Sequence, residues 1–341
     1  MLQLLPIGDA LIAERYTYVS YLGIFIIAGY SFDRLNTLKF MWIKRTANII
    51  KAAGVLFLII LAVFTWNRTK VWHDNISLWT DVINKYPHVW IAYGNRANEY
   101  SDKGNYEMAM QDYNKAIEVH PTYEKAYFNR GNIYKNLKKF ELAIADYDQA
   151  AKFLPNWTSN YVNRGYVLNA SGRYADAIKD YNRVLELDPK FTEIYFNRGL
   201  ANHNLGLYEI AIQDYNRALE KKADWEGVLY SRALSYYALG RLDLAIADYT
   251  QAIRLNPNSF TLYGERGSAK NQSGLYKEGA EDFTIAIRMQ PNDARLYFNR
   301  AVSYKSLGLW ELAIQDYKQA RDLGLEVANQ EINALLPMLK K

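Results

Sequence analysis

The chain has 341 residues, no cysteine, and a formal net charge of +5 from 41 Lys and Arg against 36 Asp and Glu. The lack of cysteine excludes disulfides, thiolate metal sites and cysteine nucleophiles, and leaves the redox compartment open. Acids nearly balance bases and no recognition motif appears, so nucleic acid is not an expected partner.

The amino-terminal 70 residues differ in composition from everything that follows. Residues 16–32 are uncharged, and so are 52–66, a stretch that extends back to Ala47 with Lys51 as its one charge. An apolar run near twenty residues crosses a bilayer, whereas ten to fourteen fit a core helix. Two transmembrane helices are therefore predicted, at about 16–32 and 47–66. The loop between them carries Arg34, Lys39, Lys44, Arg45 and Lys51 against Asp33 alone. Basic loops stay in the cytoplasm, which puts the amino terminus and everything after the second span on the other side. Met1–Pro6 has no basic segment and no small-x-small site follows, so a cleaved leader is not expected.

Residues 71–92 lead into a strict period. Tyr93, Tyr127, Tyr161, Tyr195, Leu229, Tyr263 and Tyr297 open seven units of 34 residues with no insertion, filling residues 93–325. Such a period marks a solenoid whose units bury apolar faces only against their neighbours. Each unit reads as two helices. In the second, Tyr127–Gly131 opens one helix, Leu137–Phe140 turns the corner, and Glu141–Ala150 forms the other with Ala143, Tyr147 and Ala150 on one face. Four residues after the opening position stands Gly131, Gly165, Gly199 or Gly267, or else Ala97, Ala233 or Ala301, small enough to let the paired helix approach. The corner holds Gly104, Gly172, Gly206, Gly240, Gly274 and Gly308, where a left-handed helix end is easiest, and only Lys138 departs. Pro121, Pro155, Pro189, Pro257 and Pro291 follow the second helices. Stepping one period back from Tyr113 and Pro121 reaches Trp79 and Pro87, so Ile76–Lys85 reads as a degenerate half-repeat that caps the array. Residues 326–341 read as a closing cap helix with Val327, Ile332, Leu335 and Leu336 on its apolar face.

This pattern of aromatic, small, glycine, alanine and proline positions resembles the tetratricopeptide repeat (TPR). The expected fold is thus all-α, a TPR superhelical solenoid with caps behind two transmembrane helices. One position departs from the family, which usually has leucine where every unit here has arginine: Arg96, Arg130, Arg164, Arg198, Arg232, Arg266 and Arg300. Aspartate lies sixteen residues later each time, at Asp112, Asp146, Asp180, Asp214, Asp248, Asp282 and Asp316. The pairs Arg130–Asp146, Arg164–Asp180 and Arg198–Asp214 are read as bridges closing each hairpin, because a buried guanidinium needs a carboxylate. The alternative is a basic ladder for an anionic ligand.

A second ladder, Asn95, Asn129, Asn163, Asn197 and Asn299, precedes those arginines, with Ser231 and Glu265 interrupting. Resemblance to the family puts this position on the concave groove, beside Phe128, Phe196, Tyr230 and Phe298. Amides and aromatic faces suit a protein or peptide segment bound in extended form. The other reading is that these amides cap local backbone. Asn114, Asn182 and Asn216, on the second helices, are expected to lie away from the groove.

Gly8–Tyr18, with its Ala13-Glu14-Arg15-Tyr16-Thr17-Tyr18 stretch, the order span, span, repeats, and the link Trp72–Trp79 resemble the transmembrane and TPR repeat-containing proteins and their bacterial relatives. The membrane half of that family is built like a GT-C-type glycosyltransferase. The resemblance implies a bacterial inner membrane with periplasmic repeats, and it makes Glu14 and Arg15 the candidates for a site role. No catalytic constellation, metal site or cofactor motif is found: His73, His88, His120 and His203 are scattered, and no phosphate loop appears. The expected function is a membrane-anchored scaffold that binds extended polypeptide. The alternative is the carboxy-terminal part of a GT-C-type glycosyltransferase whose repeats present acceptor proteins. Oligomeric state is not readable.

Overall fold

The computed structural model describes residues 41–69 and 73–340, with side chains for 48–66 and 73–338. Every regular element among the described residues is helical: seventeen α-helices and a closing 3-10 helix, Leu336–Lys340. The chain divides into two compact units, residues 1–99 and 100–341.

In the first unit, α1 runs Met41–Thr69 and α2 runs Asn75–Lys85. Asn48–Trp66 within α1 is 19 residues long, has a mean hydropathy of 2.4 and buries none of that window. Ile49, Phe57, Phe64 and Trp66 are each more than half exposed. The predicted span at 16–32 lies outside the described residues, so where two spans were predicted the described residues hold one apolar helix of membrane-crossing length. The Asp74 carboxylate caps α2 by accepting from the Ser77 amide at 2.8 Å. Asn75 donates to Glu99 at 2.7 Å, and Tyr93 donates to the Pro87 carbonyl at 3.1 Å.

Helix α3 (Trp90–Asp102) crosses the boundary between the units. The second unit continues with α4 (Tyr106–Val119) and six helical hairpins. They are α5 (Glu124–Asn136) with α6 (Phe140–Phe153), α7 (Thr158–Ala170) with α8 (Tyr174–Leu187), and α9 (Thr192–Asn204) with α10 (Tyr208–Lys221). Then come α11 (Glu226–Ala238) with α12 (Leu242–Leu255), α13 (Phe260–Gln272) with α14 (Tyr276–Met289), and α15 (Ala294–Ser306) with α16 (Trp310–Asp322). Each second helix packs on its own first helix and on the first helix of the next hairpin. First helices of neighbouring hairpins also touch, α5 with α7, α7 with α9, α9 with α11 and α13 with α15. That closeness puts the first helices on the inner side of the curve.

The first helices begin earlier than the sequence pattern placed them. α5 starts at Glu124, so Tyr127 sits a turn inside it. Its hydroxyl donates back to the Pro121 carbonyl at 3.2 Å, and Tyr161 does the same to Pro155 at 2.9 Å. The opening tyrosine thus pins the preceding proline loop.

One aromatic per second helix fills the core. Tyr113, Tyr147, Tyr181, Tyr215, Tyr249, Phe283 and Tyr317 are all fully buried. The ring lies against the small residue of the first helix. A Cβ placed on Gly165 would stand 2.6 Å from a Tyr181 ring carbon, and one on Gly131 would stand 2.9 Å from Tyr147. Aromatic burial is the largest apolar contribution per residue, and here it recurs once per hairpin.

At the carboxy terminus, α17 (Ala328–Leu335) buries Ala328, Ile332 and Leu335. Val327 and Leu336, predicted for that face, are exposed instead. The helix begins one residue after Val327, so the buried i, i+4, i+7 set starts at Ala328 and excludes both.

The hairpin corners share one geometry. The amide after the left-handed residue reaches the carbonyl five residues back, as in Arg173 to Leu168 at 2.8 Å. Gly104, Gly172, Gly206, Gly240, Gly274 and Gly308 have φ of 72–84°, and Lys138 has 56°, the one non-glycine in that region among the described residues. A side chain there costs about 1–2 kcal/mol, against about 0.5–1 kcal/mol of extra chain entropy for glycine. Lys138→Gly is therefore expected to stabilise the array by about 0.5–1 kcal/mol, read as a higher denaturation midpoint. An unchanged or lower midpoint would show that Lys138 makes a compensating contact.

Candidate functional site

The arginine ladder is occupied along its length. Arg164 donates from Nη2 to Asp180 Oδ1 at 2.6 Å and from Nε to Asp180 Oδ2 at 2.8 Å. Arg130 with Asp146, Arg232 with Asp248, Arg266 with Asp282 and Arg300 with Asp316 repeat the same two-pronged contact, and Arg198 meets Asp214 in a looser form. The arginine side chains are 14–23% exposed and their aspartates 4–8%. Arg96 lies in the first unit, where its Nη1 donates to Thr80 at 3.0 Å; its sequence partner Asp112 lies in the second.

The remaining nitrogen of each guanidinium reaches backwards, a contact that the sequence reading missed. Nη1 donates to a side chain sixteen residues upstream, on the second helix of the preceding hairpin. The pairs are Arg130 to Asn114, Arg164 to Asp148, Arg198 to Asn182, Arg232 to Asn216, Arg266 to Thr250 and Arg300 to Thr284, at 2.5–3.1 Å. Most also lie over their own opening tyrosine, as Arg164 does over Tyr161 at 5.3 Å, while Arg232, with Leu229 in that place, uses Tyr236 at 5.8 Å. Asn114, Asn182 and Asn216 are thus acceptors in the inter-hairpin contact and not idle surface residues. The signal was legible: position minus sixteen is a small polar acceptor in every unit. Burial works against the Arg164 charge, but the hydrogen bonds and charges of Asp180 and Asp148 more than offset it and raise its proton affinity.

The asparagine ladder sits on the inner first helices, half-buried. Asn163 accepts from Lys135 at 2.8 Å and donates to the Ser159 carbonyl at 3.2 Å, so part of its capacity is spent locally. Asn129 shares a side-chain hydrogen bond with Tyr113. The side chains of Asn197 and Asn299 make no hydrogen bond among the described residues. Asn95 lies half-buried in the first unit. Of the interruptions, Ser231 turns to its own helix and donates to Gly227 at 2.8 Å, while Glu265 puts a carboxyl in the row, its proton affinity raised by burial.

The neighbouring aromatics do double duty. Phe128 packs at 4.3 Å from Trp157 and 5.9 Å from Tyr147, and Phe196 at 5.2 Å from Trp225. Tyr230 lies 6.1 Å from Tyr249, and Phe298 5.1 Å from Tyr317. Phe128 and Phe196 thus brace successive hairpins, whereas Tyr230 and Phe298 pack within their own, and all four rings are only partly exposed. Behind them, the hydroxyls of Tyr181, Tyr215, Tyr249 and Tyr317 are buried without a hydrogen-bond partner. Among the described residues no cluster of three His, Asp or Glu could hold a metal, and Glu14 and Arg15 lie outside them.

Comparison with known proteins agrees with this geometry. Models described as TPR repeat or tetratricopeptide repeat match residues 97–138, 165–206, 124–156, 228–259, 265–324 and 192–223, well over half of the 341 residues together. The chain belongs to the tetratricopeptide repeat family. Its fold is also similar to a tetratricopeptide repeat protein from Parabacteroides merdae, at 22% identity and a TM-score of 0.54, over 72% of this chain and 98% of that one. Among curated proteins it is similar to the protein O-mannosyl-transferase Tmtc2 of Drosophila melanogaster, 31% identical over 110 residues. It is also similar to the human protein O-mannosyl-transferase TMTC1, 26% identical over 113 residues. Those matches take in 32% and 33% of this chain, which spans about a tenth of the length of either relative.

The arginine contacts predict measurable coupling. Removing either partner of a buried pair strands the other, at a cost of about 3–5 kcal/mol. Arg164→Leu and Asp180→Leu are expected to couple by about 1–3 kcal/mol in a double-mutant cycle followed by denaturant unfolding. Asp148→Asn, at a half-exposed position, should cost no more than about 1 kcal/mol. Additive losses for Arg164 and Asp180 would contradict the pairing.

Proposed function

We propose that this chain is a membrane-anchored scaffold whose repeat groove holds an extended polypeptide segment. One observation carries the reading: ladder positions recur at every 34 residues on the inner helices, and Asn197 and Asn299 among them have amides not spent on the protein itself. An extended segment presents backbone donors and acceptors at regular spacing whatever its sequence, which is what a row of amides can pair. The half-exposed edges of Phe128, Phe196, Tyr230 and Phe298 add apolar contact beside that row. The apolar helix Asn48–Trp66 supplies the anchor, and the basic residues before it favour repeats on the extracytoplasmic side, the periplasm of a bacterium.

The similarity to O-mannosyl-transferases favours a second reading, in which the repeats present acceptor proteins to a membrane-embedded glycosyltransferase. An in-frame sequence upstream of Met1 encoding further spans and an acidic extracytoplasmic loop would support it.

Replacing Asn129, Asn163 and Asn197 together by alanine is expected to weaken binding of an unfolded, permanently reduced protein by at least about tenfold, since each lost hydrogen bond is worth about 1 kcal/mol. The helical signal in circular dichroism should not change. Gln149, Gln213 and Gln315, exposed on the second helices, form the control set, because Asn114, Asn182 and Asn216 hold the arginines. Equal loss in the control triple would overturn the groove reading. Topology is checked separately: reporter fusions after Leu325 should signal from outside the cytoplasm and fusions within residues 33–51 from inside it. A cytoplasmic signal after Leu325 would reverse the assigned orientation.

A further inference from the structure

Helix α14 departs from the other second helices at two positions. Five of the other six units carry an acid where α14 has Lys277, namely Glu107, Glu141, Glu209, Asp243 and Glu311. Where α14 has Ile285, all six carry lysine, arginine or glutamine, as in Lys115, Arg217 and Gln251. A unit that only propagates a solenoid meets the same neighbours as every other unit and needs neither change.

Both residues line a cleft of about 360 Å³ between α14 and the corner that joins α15 to α16. Ile285, Leu307 and Leu309 give it an apolar lining, and the two leucines are 41% and 42% exposed. The polar groups between them are already spent. Thr284 donates to the Ala280 carbonyl at 2.8 Å and accepts from Arg300 at 3.0 Å. Arg300 in turn lies 5.7 Å from the Tyr304 ring centre, so the inter-hairpin arginine holds the wall in place before any ligand arrives. Lys277 and Arg288 stand at the two ends of the α14 side, exposed and without an ion pair among the described residues. Eleven residues make about three helical turns, so both leave the same side of α14, about 16 Å apart. Glu281 lies between them, exposed and paired with neither.

We propose that this cleft docks an acidic, aliphatic segment of a partner polypeptide, with carboxylates on Lys277 and Arg288 and aliphatic side chains on Ile285, Leu307 and Leu309. Two uncommitted cations flanking an apolar strip complement two acids flanking an aliphatic stretch. A lone headgroup or acyl carboxylate reaches only one of those cations. An extended segment rises about 3.3 Å per residue, so acids five positions apart span about 16 Å. The cleft lies on a second helix and the asparagine row on first helices, so this site does not depend on the groove reading.

The test uses the full chain in nonionic detergent and fluorescent peptides of one length. The parent peptide carries two glutamates five positions apart around leucine and valine. In its relatives one or both glutamates become glutamine, or both become lysine. The two-glutamate form is expected to bind at least about fivefold more tightly than the two-glutamine form, with the single-glutamate forms between and the lysine form weakest. Lys277→Glu and Ile285→Gln restore residue types that other units carry, so neither should lower the melting temperature. Each is expected to weaken the parent peptide at least about fivefold. The asparagine triple variant should leave that affinity unchanged. If the glutamine form binds as well as the parent, or both restoring variants keep full affinity, the cleft is a solvated surface and the proposal is refuted. If one glutamate gives the full affinity, the second cation has no part and the assigned ligand is wrong. If the asparagine triple abolishes binding while Lys277→Glu does not, the peptide sits in the asparagine row, and the cleft is refuted while the groove reading stands. If no peptide binds, the cleft proposal fails alone, because the groove reading is tested on an unfolded protein.

Discussion

The array depends on one side chain repeated. Each arginine from Arg130 to Arg300 joins three helices, its own first helix, its own second helix through the aspartate, and the second helix of the hairpin before. A guanidinium is planar, permanently charged and carries donors on three sides, so it can serve three partners at fixed angles where an ammonium could not. A solenoid has no long-range contacts to fix its curvature, and stability passes only between neighbours. A directional contact at every junction therefore sets how successive hairpins turn.

That contact also explains how the inner surface stays regular. The arginine follows the ladder position immediately in sequence, about 100° round the same helix, so a guanidinium that fixes the helix's rotation also fixes the direction in which the ladder residue leaves it. The tyrosine of the second helix, packed against glycine or alanine, fixes the depth of approach. Fixed rotation and fixed depth together place Asn129, Asn163 and Asn197 in a row at constant spacing. A groove for extended polypeptide needs that constancy, because the ligand's own repeat is constant.

The groove is not uniform, and its departures carry the information. Ser231 folds onto its own helix, Phe283 replaces the tyrosine behind Asn299, and Glu265 brings a charge to a position that is neutral elsewhere.

The sequence by itself determined the period, the two-helix unit, the corner glycines and the Arg–Asp pairing, because each rests on residues that recur in phase and on local rules of helix ends. It did not place the helix starts: α5 begins at Glu124, three residues before Tyr127, and the residue just before the opening position, Ala126 here, is buried. It put Val327 on a buried face because periodicity gives a face but not its phase at a terminus. Only the tertiary structure disclosed that Asn114, Asn182 and Asn216 hold the arginines of the next hairpin, and that Phe128 and Phe196 brace their neighbours. Those are contacts between hairpins, and the angle at which one hairpin meets the next is a property of packed surfaces that no single repeat encodes.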